Sequence, residues 1–268
     1  MWIRLLGVII TCGTLCLCPA ARAEPATTRH LLAGVHAFQD GRYEDALVEL
    51  RVVARAPDAP DDLAFYLGPT LYKLTRYREA LAVFLTSKAA RDELSDFYLA
   101  ETYYQLGMYR KARAMFVGLR RRSVGPVLDA AAARYVAAVD AVYAAPVAAA
   151  VVDAYIVQAS ERAATEPLVA GEMFDEARQV EALLPGGHRH HEIIAALGAA
   201  WNAAGQGQAV VAVLAGERAL SPDSSWELAR AYVAIGERTR ARPLLEALAK
   251  GAGLHARDAA NLLALPGR

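Results

Sequence analysis

An all-α fold, a solenoid of stacked antiparallel helical hairpins, is what three observations in the sequence predict. One pattern is written three times within residues 30–119, as Gly41-Arg42-Tyr43-Glu44-Asp45-Ala46, Thr75-Arg76-Tyr77-Arg78-Glu79-Ala80 and Gly107-Met108-Tyr109-Arg110-Lys111-Ala112. The alanines that close it recur about every 33 residues, the period of a two-helix unit that leaves one apolar side bare and covers it by stacking on the next. Between these marks apolar residues follow helical spacing, and glycine or proline stands at the breaks. A chain with 55% apolar and 22% charged residues can bury a sizeable core.

Residues 1–23 read as a signal peptide. Arg4 gives the positive start, Leu5 to Cys18 the apolar run, and Ala21-Arg22-Ala23 the small-x-small cleavage site. The run is shorter than the roughly 20 residues that cross a bilayer, so membrane contact is expected only if the leader stays uncleaved. Cys12, Cys16 and Cys18 all lie in it, and no small residue stands just before any of them as a lipid-attachment signal wants. The remainder has no cysteine, hence no disulfide and no thiolate site. The expected location is the periplasm or cell envelope.

Residues 24–29 are expected as a poorly ordered lead-in. A three-unit array follows over residues 30–122. Its first helix runs from about His30 to Gln39 and stops at Gly41; the next carries Ala46, Leu50 and Val53 inward until Pro57 and Pro60 end it. The second unit repeats this with Leu67-Gly68, Leu71, Tyr72, Tyr77, Ala80 and Phe84, and the third with Leu99-Ala100, Tyr103, Tyr104, Tyr109, Ala112 and Phe116. Gly or Ala at 34, 68 and 100 lets paired helices approach closely. Residues 123–191 read as a degenerate helical middle, with helices over about 127–142, 147–164 and 168–184. Repeats return over 192–268 with Leu197-Gly198, Trp201 and Gly205, then Leu228-Ala229, Tyr232, Gly236 and Ala241, and a last helix over about 254–265 caps the stack.

The Leu-Gly pair, the aromatic, the turn glycine, the tyrosine and Ala-x-x-x-Phe together resemble the tetratricopeptide repeat (TPR), most closely at Leu67, Gly68, Ala80 and Phe84. Thr75 departs from it at a turn glycine, and Ala37 and Leu71 at aromatic places. The resemblance implies a right-handed α-solenoid whose first helices line a concave groove for a protein or peptide segment. On its alignment Phe38, Phe65, Tyr72, Lys73, Phe97, Glu101, Tyr104, Gln105, Asn202, Trp226 and Arg230 look into that groove, from an aromatic set that also holds Tyr66 and Tyr98. Tyrosine and tryptophan suit such a place, since they join large contact area to a polar handle. The same rings can instead fill space between helices. Family members that grip a C-terminal carboxylate use lysine and asparagine where Phe65 and Pro69 stand here, so that activity is not implied.

Other constellations are weaker. His188-Arg189-His190-His191-Glu192 offers metal-ligand types, yet adjacent side chains diverge and Arg189 opposes a cation, so no metal is expected there. Arg110, Lys111, Arg113 and Arg120 to Arg122 read as a solvated face or as cations at a helix C-terminus, and no nucleic acid is expected of a chain with zero formal net charge. Gly205-Gln206-Gly207 lacks the strand that a nucleotide loop needs, and Ser224-Ser225 reads as a helix cap. No enzyme activity and no cofactor are expected. Three alternatives stay open: docking by the ends or convex face within an envelope assembly or secretion complex, a metal-binding protein that uses the histidine cluster at 188–191, and self-association through the apolar middle helices.

Overall fold

The computed structural model describes residues 26–87, 91–122, 125–144, 149–184 and 189–265. The expected signal segment and His188 lie outside the described residues, within which all regular structure is helical. Three hairpins open the chain. They are α1 (Ala26–Gln39) with α2 (Tyr43–Ala54), α3 (Ala64–Lys73) with α4 (Tyr77–Thr86), and α5 (Glu93–Gln105) with α6 (Tyr109–Arg121). Helix α1 starts at Ala26, so residues 26–29 form its first turn instead of a loose lead-in. Thr27 Oγ1 donates to the Asp58 carboxylate at 3.1 Å and ties that turn to the loop after α2.

The turns share one closure. Gly41 and Gly107 sit at φ 77°, and the next N–H reaches back five residues, Arg42 to the Ala37 carbonyl and Met108 to the Tyr103 carbonyl, both at 2.8 Å. This left-handed helix stop suits glycine. Thr75 holds it too, at φ 59°, with Arg76 N–H donating to the Leu71 carbonyl at 2.9 Å. Hairpin packing follows the small residues. A Cβ on Gly34 would stand 2.8 Å from Leu50, and one on Gly68 2.5 Å from Phe84, while Ala46, Ala80 and Ala112 are wholly buried.

The middle departs from simple stacking. α7 (Pro126–Val142) packs on α6 as the next first helix would, but α8 (Ala149–Arg162) packs principally on α9 (Pro167–Glu181), and α9 on α10 (His190–Ala203). α9 also meets α4 and α6. Residues 169–177 are all buried, so α9 is enclosed on every side and is the helix on which the two halves of the chain meet. Gly171 permits this, because a Cβ there would overlap the Trp201 ring of α10.

Hairpins then resume. α10 pairs with α11 (Gly207–Leu214), α12 (Pro222–Ala234) with α13 (Arg238–Lys250), and α14 (Ala256–Ala264) closes against α13 as the expected capping helix. Gln206 N–H to Trp201 and Glu237 N–H to Tyr232, both 2.8 Å, repeat the turn closure of the first half. The cap of α12 is Ser221, not Ser224-Ser225: the helix begins at Pro222, whose fixed φ suits a first turn, and Ser221 Oγ accepts from Ser224 N–H at 3.1 Å. No described helix is long and apolar enough to cross a membrane.

Candidate functional site

Of the residues expected on the groove face, the structure gathers Tyr72 and Lys73 of α3 with Glu101, Tyr104 and Gln105 of α5, two first helices that pack side by side. The Tyr72 ring lies 5.4 Å from that of Tyr98, and the Tyr104 ring 5.0 Å from that of Tyr135 on α7, both edge to face. Glu101 is at the centre. Its Oε1 accepts the Tyr135 hydroxyl at 2.8 Å, and the Tyr72 hydroxyl is within reach of both Glu101 and Gln105. Burial pushes the Glu101 carboxyl up, opposed by hydrogen bonds from Tyr135 and Tyr72 and by the charge of Lys73. Burial, followed by the Glu101 charge, pushes Tyr72 up to about 12. Lys73 Nζ stands 5.6 Å over the Tyr98 ring, a cation–π contact. The cluster is half-buried, with apolar ring faces around one carboxylate.

Asn202, Trp226 and Arg230 form a separate cluster on α10 and α12. Asn202 Nδ2 donates to the Glu227 carbonyl at 2.8 Å and to its carboxylate at 2.7 Å, and Arg230 pairs with the same carboxylate at 3.0 Å. Trp226 stacks on His255 with centroids 5.2 Å apart. With Val233 and Leu262 these residues line a cavity of about 330 Å³. Phe38 is half-buried against Tyr43, 5.5 Å away, and Phe65 is half-buried near the start of α3. Phe97 is corrected from groove to core. It is 8% exposed and packs on Phe116 at 5.5 Å, filling the space between α5 and α6.

Tyr135 was not legible as a site residue. It sits in an alanine-rich helix with no repeat signature, and its ring stacks parallel on Phe116 at 4.6 Å while its hydroxyl reaches Glu101. The expected solvated basic face also needs correction at Lys111, whose side chain is 12% exposed. Its Nζ meets Glu172 at 2.5 Å and Asp175 at 2.9 Å, both on α9. Tyr103 donates its hydroxyl to Glu172 at 2.8 Å, and Arg178 pairs with Asp175 at 2.7 Å. Glu176, fully buried, accepts the Arg110 and Lys111 backbone N–H groups at 2.8 and 3.2 Å, and so caps α6 from another part of the chain. Arg110 is half-buried with its guanidinium over the Tyr143 ring, and the remaining pairs are nearer the surface: Arg113 with Asp140, Arg120 with Asp129, Arg122 with Asp96.

In the histidine cluster, His190 meets Glu217 at 3.0 Å and Glu181 at 3.6 Å, and Arg189 pairs with Glu192 and Asp153. His191 is exposed with its ring 6.0 Å from that of His190. Among the described residues no group of three histidine, cysteine or acidic side chains is placed to hold a metal ion.

No family model matches the sequence, and no curated protein matches it. Solved structures with similar folds include the TPR2AB domain of yeast Sti1 in complex with pHSP90, at 12% identity over 88% of this chain and 96% of that one, with a TM-score of 0.38. A thermophilic TPR protein in Thermus thermophilus is similar at 21% identity, 77% and 100% coverage and a TM-score of 0.31. The P58(IPK) TPR domain is similar at 12% identity with a TM-score of 0.36, and this chain, over 88% of its own length, spans 65% of that domain.

Proposed function

We propose that the chain is a non-catalytic protein–protein interaction scaffold of the periplasm or cell envelope, which holds a peptide or protein segment along the face of its first helices. The observation behind this reading is the half-buried cluster of Tyr72, Glu101, Tyr104 and Tyr135, in which rings and a carboxylate are fixed by their neighbours on rigid helices before any ligand arrives. Fixed rings lose little freedom on binding, so their contact area is available for affinity. The envelope location rests on the expected leader.

The test is a pull-down from envelope extract with the purified chain beside a variant carrying Phe65→Ala, Tyr72→Ala and Tyr104→Ala, once circular dichroism shows both equally helical. Retention by the first and loss by the second places the ligand on this face. Equal recovery by both sinks the reading and favours the second one, docking through another surface of an envelope assembly. A specific feature speaks for that alternative: Val127 and Val142 of α7 and Val151 and Val157 of α8 are 80%, 53%, 40% and 56% exposed.

A further inference from the structure

We infer that the Tyr72–Glu101–Tyr104–Tyr135 cluster is a niche for a cationic side chain, lysine or arginine, presented by the bound segment. This rests on the proposed function and names the chemistry of its ligand. The inference comes from charge. Among the described residues the buried acids are matched within the chain: Glu172 and Asp175 by Lys111, Glu227 by Arg230, Glu176 by the two amides of α6, and Glu181 by the Arg189 amide. Glu101 is different. It is half-buried, so its charge has lost part of its water, yet among the described residues its hydrogen-bond donors are the neutral side chains around it and no cation stands within 4.0 Å of it. A carboxylate so placed gains from a counter-charge more than an exposed one does, because the low local dielectric strengthens the attraction.

The surrounding rings favour the same ligand. Tyrosine faces attract cations, and the cluster already shows this with its own Lys73, whose Nζ lies over Tyr98. Lys73 is exposed and lies over that ring, so it leaves Glu101, which is only half-buried, without a close ion pair. An acidic ligand group would face Glu101 at short range, and an aliphatic one would cover the carboxylate and leave it without compensation. A basic side chain alone satisfies both the charge and the rings.

The experiment is a positional-scanning library of 12-residue peptides in which one position at a time is fixed as lysine, arginine, norleucine or glutamate and the others are randomised, with capture of the purified chain measured for each pool. Pools fixed as lysine or arginine are expected to bind about five- to tenfold better than the norleucine pool at the same position, and the preference weakens as salt is raised. Glu101→Gln removes that preference by weakening the lysine and arginine pools and relieving the penalty on norleucine, and Lys73→Gln, which removes a competing positive charge, enlarges it. A preference that survives Glu101→Gln, or glutamate pools that bind best, overturns the inference. Peptide binding that falls with Tyr72→Ala and Tyr104→Ala but ignores charge keeps the groove reading and discards the cationic niche. Binding that ignores both tyrosine substitutions discards both.

Discussion

At Lys111 a residue that any sequence reading places on a charged surface turns out to be enclosed with two carboxylates of a helix about sixty positions later, its side chain 12% exposed between Glu172 and Asp175. Lys111→Met keeps the volume of the stem and deletes the charge, leaving buried Glu172 with no cation and Asp175 with Arg178 alone, so a loss of about 3–5 kcal/mol in urea denaturation is expected. Adding Glu172→Gln to that variant should restore part of the loss, since the uncompensated charge falls by one. The pH dependence has a definite sign. Burial works to raise the Asp175 carboxyl, but Lys111 and Arg178 hold it below the ordinary 3.8, so its share of stability is present above 3.8 and is lost as the pH falls through the folded value. Burial works to lower Lys111, but Glu172 and Asp175 hold it above 10.5, so its share is present below 10.5 and is lost as the pH rises through the folded value. The deficit of Lys111→Met is therefore full at neutral pH and narrows below pH 3.8; a deficit that stays constant down to acid pH contradicts the buried-pair account. The sequence could not show this pairing, because period and composition report local structure while the match between Lys111 and α9 exists only across the fold. The same reason hid Tyr135. By contrast the close approach of α3 and α4 at Gly68 lies within one hairpin and was readable from the small residue there, though its partner Phe84 was not.

At the helix ends the hairpins share one turn closure but differ in how their second helices begin and in the residue that makes the turn. α6 has no side-chain cap of its own, and the Glu176 carboxylate serves instead, held on α9 with both oxygens engaged by the Arg110 and Lys111 amides. Glu176→Ala leaves two partly enclosed N–H groups without an acceptor and should cost about 2–4 kcal/mol. Hydrogen exchange localises the effect: the amides at Arg110 and Lys111 should lose protection first, and unchanged protection there would remove the long-range cap from the account. The turn after α3 makes the opposite prediction. Thr75 occupies a left-handed position at φ 59°, which costs a β-branched residue about 1–2 kcal/mol, whereas glycine fits it at an entropic cost of about 0.5–1 kcal/mol in the unfolded chain. Thr75→Gly should then raise stability by about 0.5–1 kcal/mol, read as a higher melting temperature, while Gly107→Ala at the equivalent turn should lower it by a similar amount. These turns were visible in the sequence as positions, and Thr75 as a departure. What its conformation would be needed the structure, since threonine could equally have opened the turn into another type.

Across the whole molecule, a linear stack should be weakest at its ends, because each unit is held by its neighbours and a terminal unit has only one. Here the array is not linear at its middle. α9 is packed by α8 and α10, touches α4 and α6, and carries the carboxylates that engage Tyr103, Lys111 and the start of α6, so it is held by both halves at once. The interior supports this, with Phe116, Ile193, Ile194 and Leu197 fully buried on the helices around it and Met108 fully buried just before α6. Local opening should follow that arrangement, its free energy rising from the termini toward the most enclosed helices. In native-state hydrogen exchange followed by mass spectrometry, peptides from α1 and α2 and from α13 and α14 should exchange first, and those covering residues 169–177 and 193–201 last. In Lys111→Met the order should change in one respect: α4 and α6 lose protection while α8 and α10 keep theirs, because the polar joint is cut and the apolar packing of α9 on α8 and α10 is untouched. Should α9 exchange as early as the ends in the unsubstituted chain, its enclosure would not be what holds the halves together, and the two repeat blocks would have to be treated as independent units joined by a loose middle.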